Sequence, residues 1–142
     1  MSKLRIDVSD TCSDQDRDAV LRGLVGYNEL QAPGGRGRDL HVLAHDDAGE
    51  AVAGLIGHTH WNWMFVKILW VSESCRGQGL GKRMLEAAEK EAIARGCRHV
   101  HLDTFSFQAL PFYQSLGYTI FGQLEDYPEG HTRYFLQKRN LS

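Results

Sequence analysis

The segment Trp70-Val71-Ser72-Glu73-Ser74-Cys75-Arg76-Gly77-Gln78-Gly79-Leu80-Gly81-Lys82 carries the most specific chemistry in the chain. An apolar run ends, three glycines alternate within five residues, and a strongly patterned helix begins. The first N–H groups of a helix have no intrahelical acceptor, and the helix dipole adds positive potential there. Glycines remove the side chains that would hold a phosphate away from that backbone. Arg76 and Lys82 bring full positive charge beside it. These residue types, at this spacing, describe a cradle for the phosphates of an anionic ligand. Two familiar phosphate loops do not fit. The dinucleotide fingerprint requires glycine where Lys82 stands. The P-loop requires glycine at Arg76 and Ser or Thr at Arg83. A plain strand-to-helix turn needs one such glycine, so a turn without a ligand is the weaker explanation.

Downstream lies Ser106-Phe107-Gln108-Ala109-Leu110-Pro111-Phe112-Tyr113-Gln114-Ser115-Leu116-Gly117-Tyr118. Arg-Gly-x-Gly-x-Gly after a strand resembles the acetyl-CoA loop of the Gcn5-related N-acetyltransferase (GNAT) family. In that family a later short helix carries Asn-x-x-Ala-x-x-x-Tyr and closes on Leu-Gly-Phe or Leu-Gly-Tyr. The downstream segment stands at the corresponding distance. The chain is similar to small stand-alone bacterial members, particularly over Leu102–Gln108 and Gly130–Leu136, and the order of elements agrees from about residue 4 to 138.

The resemblance implies a mixed α/β fold, with a mostly antiparallel sheet splayed at the cofactor site and flanked by helices. It implies acetyl transfer from acetyl-CoA to a primary amine of a small molecule or peptide, by direct attack. The backbone from Arg76 through Gly77, Gln78, Gly79, Leu80 and Gly81 to Lys82 would hold the CoA pyrophosphate. Leu69, Trp70 and Val71 would pair with the pantetheine arm like an added strand. An amide near Val71 would polarise the thioester carbonyl. Tyr113 matches the family's general acid. Standing alone it reads as a half-buried core tyrosine, but Ala109 before it and Leu116-Gly117-Tyr118 after it favour the catalytic role. Ala109 gives the cofactor room, and Phe112 is assigned to the cofactor side.

Three residues depart from the family pattern. Ser106 stands where many members have Asn, and would cap the helix or bond the cofactor. Pro111 lies inside the expected helix, which it would shorten or kink. Glu73 replaces a common Pro. The general base is not fixed by any motif. Asp103, Glu73, Glu125, Asp126 and the histidines are candidates. Asp103, at the end of the strand beside the thioester, has the best position; its alternatives are a cap for the Thr104–Ser106 turn and a water relay. The acyl donor could be another acyl-CoA. Rival functions are a CoA-binding regulatory module without turnover and a nucleotide-binding domain.

Other chemistry-bearing residues have plainer readings. His58 with His60, and His99 with His101, share a strand face at i,i+2 spacing, yet nothing completes a metal ligand set, so exposed sheet positions explain them better. No metal is expected. Trp70 reads as core. Trp61 and Trp63 read as acceptor pocket or dimer contact. Cys75 beside Arg76 has no partner pattern for a catalytic thiol. Acids Glu125, Asp126 and Glu129 would attract a cationic amine, but a solvated loop is the simpler account.

These residues must be positioned by a short list of elements. Arg5–Val8 alternates like a strand. Ser13 caps a helix over about 14–31, which Gly23 and Gly26 would break or open to close approach. Pro33–Arg38 is a loop. Leu40–His45 and Ala51–Thr59 form a hairpin around Asp46–Gly49. Phe65–Val71 is apolar on both faces apart from Lys67, hence central. Residues 81–95 form a helix with Leu85, Ala88, Ala92 and Ile93 on one face, ion pairs Glu86–Lys90 and Glu91–Arg95 on the other, and Gly96 at its end. A strand at Val100–Leu102, a short helix to Leu116, and strands at Tyr118–Leu124 and Thr132–Gln137 complete a single domain spanning 1–142.

Composition bounds this reading. The 142 residues suit one domain, and 42% hydrophobic content supports a real core. A net charge of −2, from 16 basic and 18 acidic residues, argues against nucleic acid or an anionic membrane as partner. No apolar run approaches the roughly 18 residues of a membrane span. Met1–Arg5 lacks the apolar core of a signal peptide. Three cysteines without paired spacing point to the cytoplasm. The resemblance adds a homodimer as the assembly to test.

Overall fold

In the computed structural model residues 3–142 are described; the part of the leader reading that rests on Met1 and Ser2 lies outside them. They fall into two units, one ending at Gly35 and one running from Arg36 to Ser142. The first unit is built on α1 (Asp14–Gln31). Ser13 Oγ accepts the Asp16 N–H at 3.1 Å, and Asp14 and Asp16 place negative charge in the first turn. The helix is unbroken, and a Cβ at Gly23 or Gly26 would meet nothing, so neither expected consequence of those glycines occurs. The strand expected at Arg5–Val8 does not form. Alternation suits a strand, but a strand exists only where a neighbour completes its ladder, and Ile6 and Val8 stay exposed.

The second unit contains β1 (Arg38–His45), β2 (Ala51–His60), β3 (Trp63–Val71), α2 (Leu80–Ala94), β4 (His99–Phe105), α3 (Leu110–Ser115), β5 (Thr119–Glu125) and β6 (Thr132–Lys138). The six strands lie in the order β1-β2-β3-β4-β6-β5. The hairpins β1–β2, β2–β3 and β5–β6 are antiparallel, as is the β4–β6 pair; β3 and β4, joined through α2, are parallel. The mixed sheet therefore has the expected composition.

Helix α2 buries Leu85, Ala88 and Ala92 completely against Leu55, Met64, Val100, Leu102 and Leu136. Each fully buried leucine contributes about 2 kcal/mol relative to an exposed one. Ile93, expected on this face, is 39% exposed, and Met84 and Glu89 are buried in its place. Arg95 anchors the helix end. Its Nε bonds Glu91 at 2.7 Å, and its Nη1 donates to the Asp39 carbonyl and Thr59 Oγ1. The other pair forms as Lys82–Glu86, not Glu86–Lys90. Buried Glu89 accepts from Tyr118 Oη at 2.7 Å and Lys138 Nζ at 3.0 Å, which ties α2 to the last strands and satisfies both carboxylate oxygens.

Candidate active site

The site begins with one extra residue. Gly57 of β2 faces Val66 of β3, and Ile56 faces Ile68, so Lys67 is a bulge. Gly57 is required opposite it: a Cβ there would overlap the Phe65 carbonyl oxygen. The bulge shifts the alternation of β3. Met64 and Val66 face the helices before it, and Leu69 and Val71 share their face after it. Ile68 and Trp70 are turned outward, 48% and 50% exposed. The expectation of a uniformly buried strand with Trp70 in the core is corrected by this single insertion.

The sheet opens at the same point. Pairing of β3 with β4 runs from Trp63–His99 to Val66–Leu102 and ends. Beyond it β3 stays paired with β2 to Val71, and β4 stays paired with β6 to Phe105. The two strands splay, and the unpaired edge of β3 from Lys67 to Val71 forms one wall of a cavity of about 890 Å³. Arg76, Gly77, Gly79, Leu80, Gly81 and Lys82 form its second wall. Asp103, Thr104, Phe107, Gln108, Ala109, Phe112 and Tyr113 close it.

The glycine loop is a 3₁₀ turn, Glu73–Cys75, followed by the start of α2. Gly79 is the N-cap, in the left-handed region at φ 75°, and Gly77 has φ 79°; L side chains are strained there. Gly81 serves packing. A Cβ there would come within 3.3 Å of the Phe112 ring, so the third glycine lets α3 approach α2. The first amides of α2 have no intrahelical acceptor, and Leu80, Gly81 and Lys82 border the cavity. Arg76 is held in place by its Nε bond to the Val71 carbonyl at 2.9 Å.

Helix α3 starts at Leu110, so Pro111 sits in its first turn, where the missing N–H costs nothing. The feared kink becomes a helix start. Tyr113 is 7% exposed, packed edge-on against Phe112 and Tyr118. Burial, and secondarily the Asp103 carboxylate, push its phenol up to about 12. Its O–H therefore stays protonated through the neutral range.

Two cofactor-side residues named from the sequence are not on the cavity wall: Gln78 and Ser106. Ser106 Oγ instead contacts His131 Nδ1 at 3.2 Å and accepts the Thr132 N–H. It caps no helix; Ala109 is the N-cap of α3, without a side-chain bond. Gln108 closes the turn after β4, its Oε1 accepting the Phe105 N–H at 2.9 Å. Asp103 lines the cavity, whereas Glu73, Glu125, Asp126 and the histidines do not. Trp61 and Trp63 lie elsewhere. Trp61 occupies the β2–β3 turn, and Trp63 packs on His99 beneath Arg139. Phe65 stacks on His101 at 4.8 Å. Among the described residues no group of three or more His, Cys, Asp or Glu is placed to hold a metal. No helix among the described residues is long and apolar enough to cross a membrane.

Sequence reasoning missed Gly57, Thr104, Gln108 and Arg133. The only available signal for the first was a glycine inside a strand pattern. Arg133 meets Asp103 across 30 residues of chain, a pairing that no local spacing encodes.

A sequence model of the acetyltransferase (GNAT) family matches residues 10–118. The chain belongs to this family. A relative from Agrobacterium fabrum (strain C58), acetyltransferase Atu2258, is 35% identical over 132 residues, covering 93% of this chain and 96% of its own. The blasticidin-S acetyltransferase of Streptomyces morookaense is 37% identical over 129 residues, covering 88% and 91%. A crystal structure of an Agrobacterium tumefaciens protein described as an acetyltransferase superposes with a TM-score of 0.89 at 34% identity, covering 96% of this chain and 99% of that one. The GNAT fold is thus shared with that structure, and the enzyme class is N-acetyltransferase.

Proposed function

We propose that this enzyme transfers the acetyl group of acetyl-CoA to a primary amine of a small molecule by direct attack. The observation that carries this is the split between β3 and β4, which joins the α2 amides at one end to Tyr113 and Asp103 at the other. The open edge of Leu69–Val71 offers main-chain groups to the amide-bearing pantetheine arm, as in strand addition. Gly77–Lys82, with Arg76, suit the pyrophosphate. The residues 1–142 are read as one acetyltransferase domain, supported by a family match that begins within the first unit and ends in the second. Three free cysteines favour a reducing compartment, hence the cytoplasm.

The chemistry follows from proton bookkeeping. An ammonium acceptor first loses a proton to water. The amine nitrogen attacks the thioester carbon; the C–N bond forms and the C–S bond breaks. The second nitrogen proton goes to the Asp103 carboxylate and on to water. The thiolate leaves against the Tyr113 O–H. Burial holds the Tyr113 phenol up to about 12, so its proton is retained through the neutral range. Tyr113 therefore donates a hydrogen bond to the departing sulfur, and solvent supplies the thiol proton. The net products are the amide, free CoA and one proton.

The named relative makes blasticidin S a natural member of an acceptor panel. Release of free thiol from acetyl-CoA in the presence of polyamines, lysine peptides, aminoglycosides and blasticidin S tests the reading. Tight acetyl-CoA binding with no thiol released by any amine would favour a silent cofactor-binding module.

A further inference from the structure

Among the described residues Asp103 is the only acid on the wall of the cavity, which also carries Arg76 and Lys82. It alternates along β4 with buried Leu102 and Thr104, so it lies on the sheet face away from α2 and α3. The split thus connects the cofactor side to a second face, and Asp103 stands where they meet. Its carboxylate is held asymmetrically. Arg133 Nε donates to Oδ1 at 3.0 Å and Nη2 lies 3.0 Å from the same oxygen in an ion pair, while Oδ2 has no hydrogen-bond partner among the described residues.

Arg133 is itself fixed on every side. Its Nη1 donates to Tyr127 Oη at 3.3 Å. Its guanidinium lies 5.5, 5.2 and 5.1 Å from the ring centroids of Phe105, Tyr127 and Phe135. Phe107, half-exposed on the cavity wall, stacks on Phe105 at 5.5 Å. A carboxylate oxygen without a hydrogen-bond partner, on a cavity wall it shares with an exposed aromatic ring, is the chemistry of a cation subsite.

We propose that Asp103 Oδ2 and the Phe107 ring form a subsite for the cationic amine of the acceptor, and that Arg133 is the positioning residue that presents Oδ2 to it. This rests on the acetyl-transfer reading of the same cavity and adds the charge class of its second substrate. Acceptors dock as ammonium ions; amines that are neutral at the assay pH dock without this contact.

Two matched probes separate the classes at pH 7.5: benzylamine, which is protonated, and phenylhydrazine, which is neutral. Asp103→Asn is expected to raise the KM for benzylamine about tenfold or more, while the KM values for phenylhydrazine and acetyl-CoA stay near wild type. Arg133→Gln should act in the same direction, and Arg133→Lys should recover most of the loss. Equal changes in KM for both amines, or none for either, would overturn the subsite; a fall in kcat common to both amines reports only the loss of the proton acceptor. Calorimetric titration of the CoA-saturated protein with benzylamine reads the same contact without turnover. Binding that weakens in Asp103→Asn supports the proposal; unchanged or absent wild-type binding overturns it. Wild-type protein that binds benzylamine but releases no thiol would instead overturn the transfer reading and leave the subsite standing.

Discussion

The two halves of the β3–β4 pair are neighbours along the same strands and have opposite fates. From Trp63 to Val66, β3 is hydrogen-bonded on both sides, Met64 and Val66 are buried, and Phe65 stacks on His101. From Lys67 to Val71 it keeps one partner, turns Ile68 and Trp70 outward, and forms a cavity wall. Residue types do not explain the contrast, since both halves are apolar apart from Lys67 itself. One inserted residue opposite one glycine does. A cavity arises here by withholding pairing from a strand whose other half still supplies stability.

The sharpest way to break the contrast is to delete Lys67. The register of β2 with β3 survives on both sides of the gap, and β3 is free to pair with β4 beyond Val66. Acetyl-CoA affinity, measured by calorimetry, should fall by at least about 100-fold, near 2.7 kcal/mol, with native-like circular dichroism. Unchanged affinity would mean that the splay has another cause.

Tyr113→Phe tests the chemistry of the open half alone. The ring and its packing remain, and the O–H is lost. The value of kcat should drop about 100-fold, with the KM for acetyl-CoA within about twofold of wild type. The rate of the wild-type enzyme should show no loss from ionisation of this phenol until pH approaches 12. A decline near pH 10 that vanishes in the variant would contradict the burial argument.

Gly57→Ala strikes the hinge between the halves. The added methyl meets backbone, which cannot rotate away. A stability loss of about 2 kcal/mol in urea unfolding is expected. A neutral result would show that the bulge relaxes readily.

The smallest effects concern pH, and they divide along the same line. His101, in the paired half, is pushed down, chiefly by burial and then by His58, against an upward pull from Asp103. A lowered histidine contributes stability above its unfolded value of roughly 6.5 that is lost as pH falls through the folded value. His101→Gln should flatten the acid side of the stability curve. Tyr113, raised to about 12, contributes stability below its unfolded value that is lost as pH rises from about 10 to about 12. Tyr113→Phe should flatten the alkaline side. Melting temperatures across pH read both slopes.

Much of this arrangement was legible in the chain. The glycine spacing after a strand located one wall of the cavity, and Ala109, Tyr113 and Leu116-Gly117-Tyr118 located the short helix, because both signals are local. The phase of β3 was not legible. A bulge adds one residue without changing composition, so Trp70 looked like core when it lines the cavity. Ser106 was assigned by analogy to a cofactor contact, but its hydroxyl is engaged by His131 and Thr132 from a distant segment. Arg133 was invisible for the same reason, its meaning depending on a strand thirty residues earlier.

The tie between Gly57 and Lys67 also bears on inheritance. An enzyme with the extra residue but a bulky side chain opposite it carries a clash, and one with the glycine but no insertion carries a weakened strand. Chimaeras between relatives that cross over between these two positions should therefore fail more often than chimaeras cut on either side. Directed recombination of this family would do best to treat the β2–β3 hairpin as one inherited block.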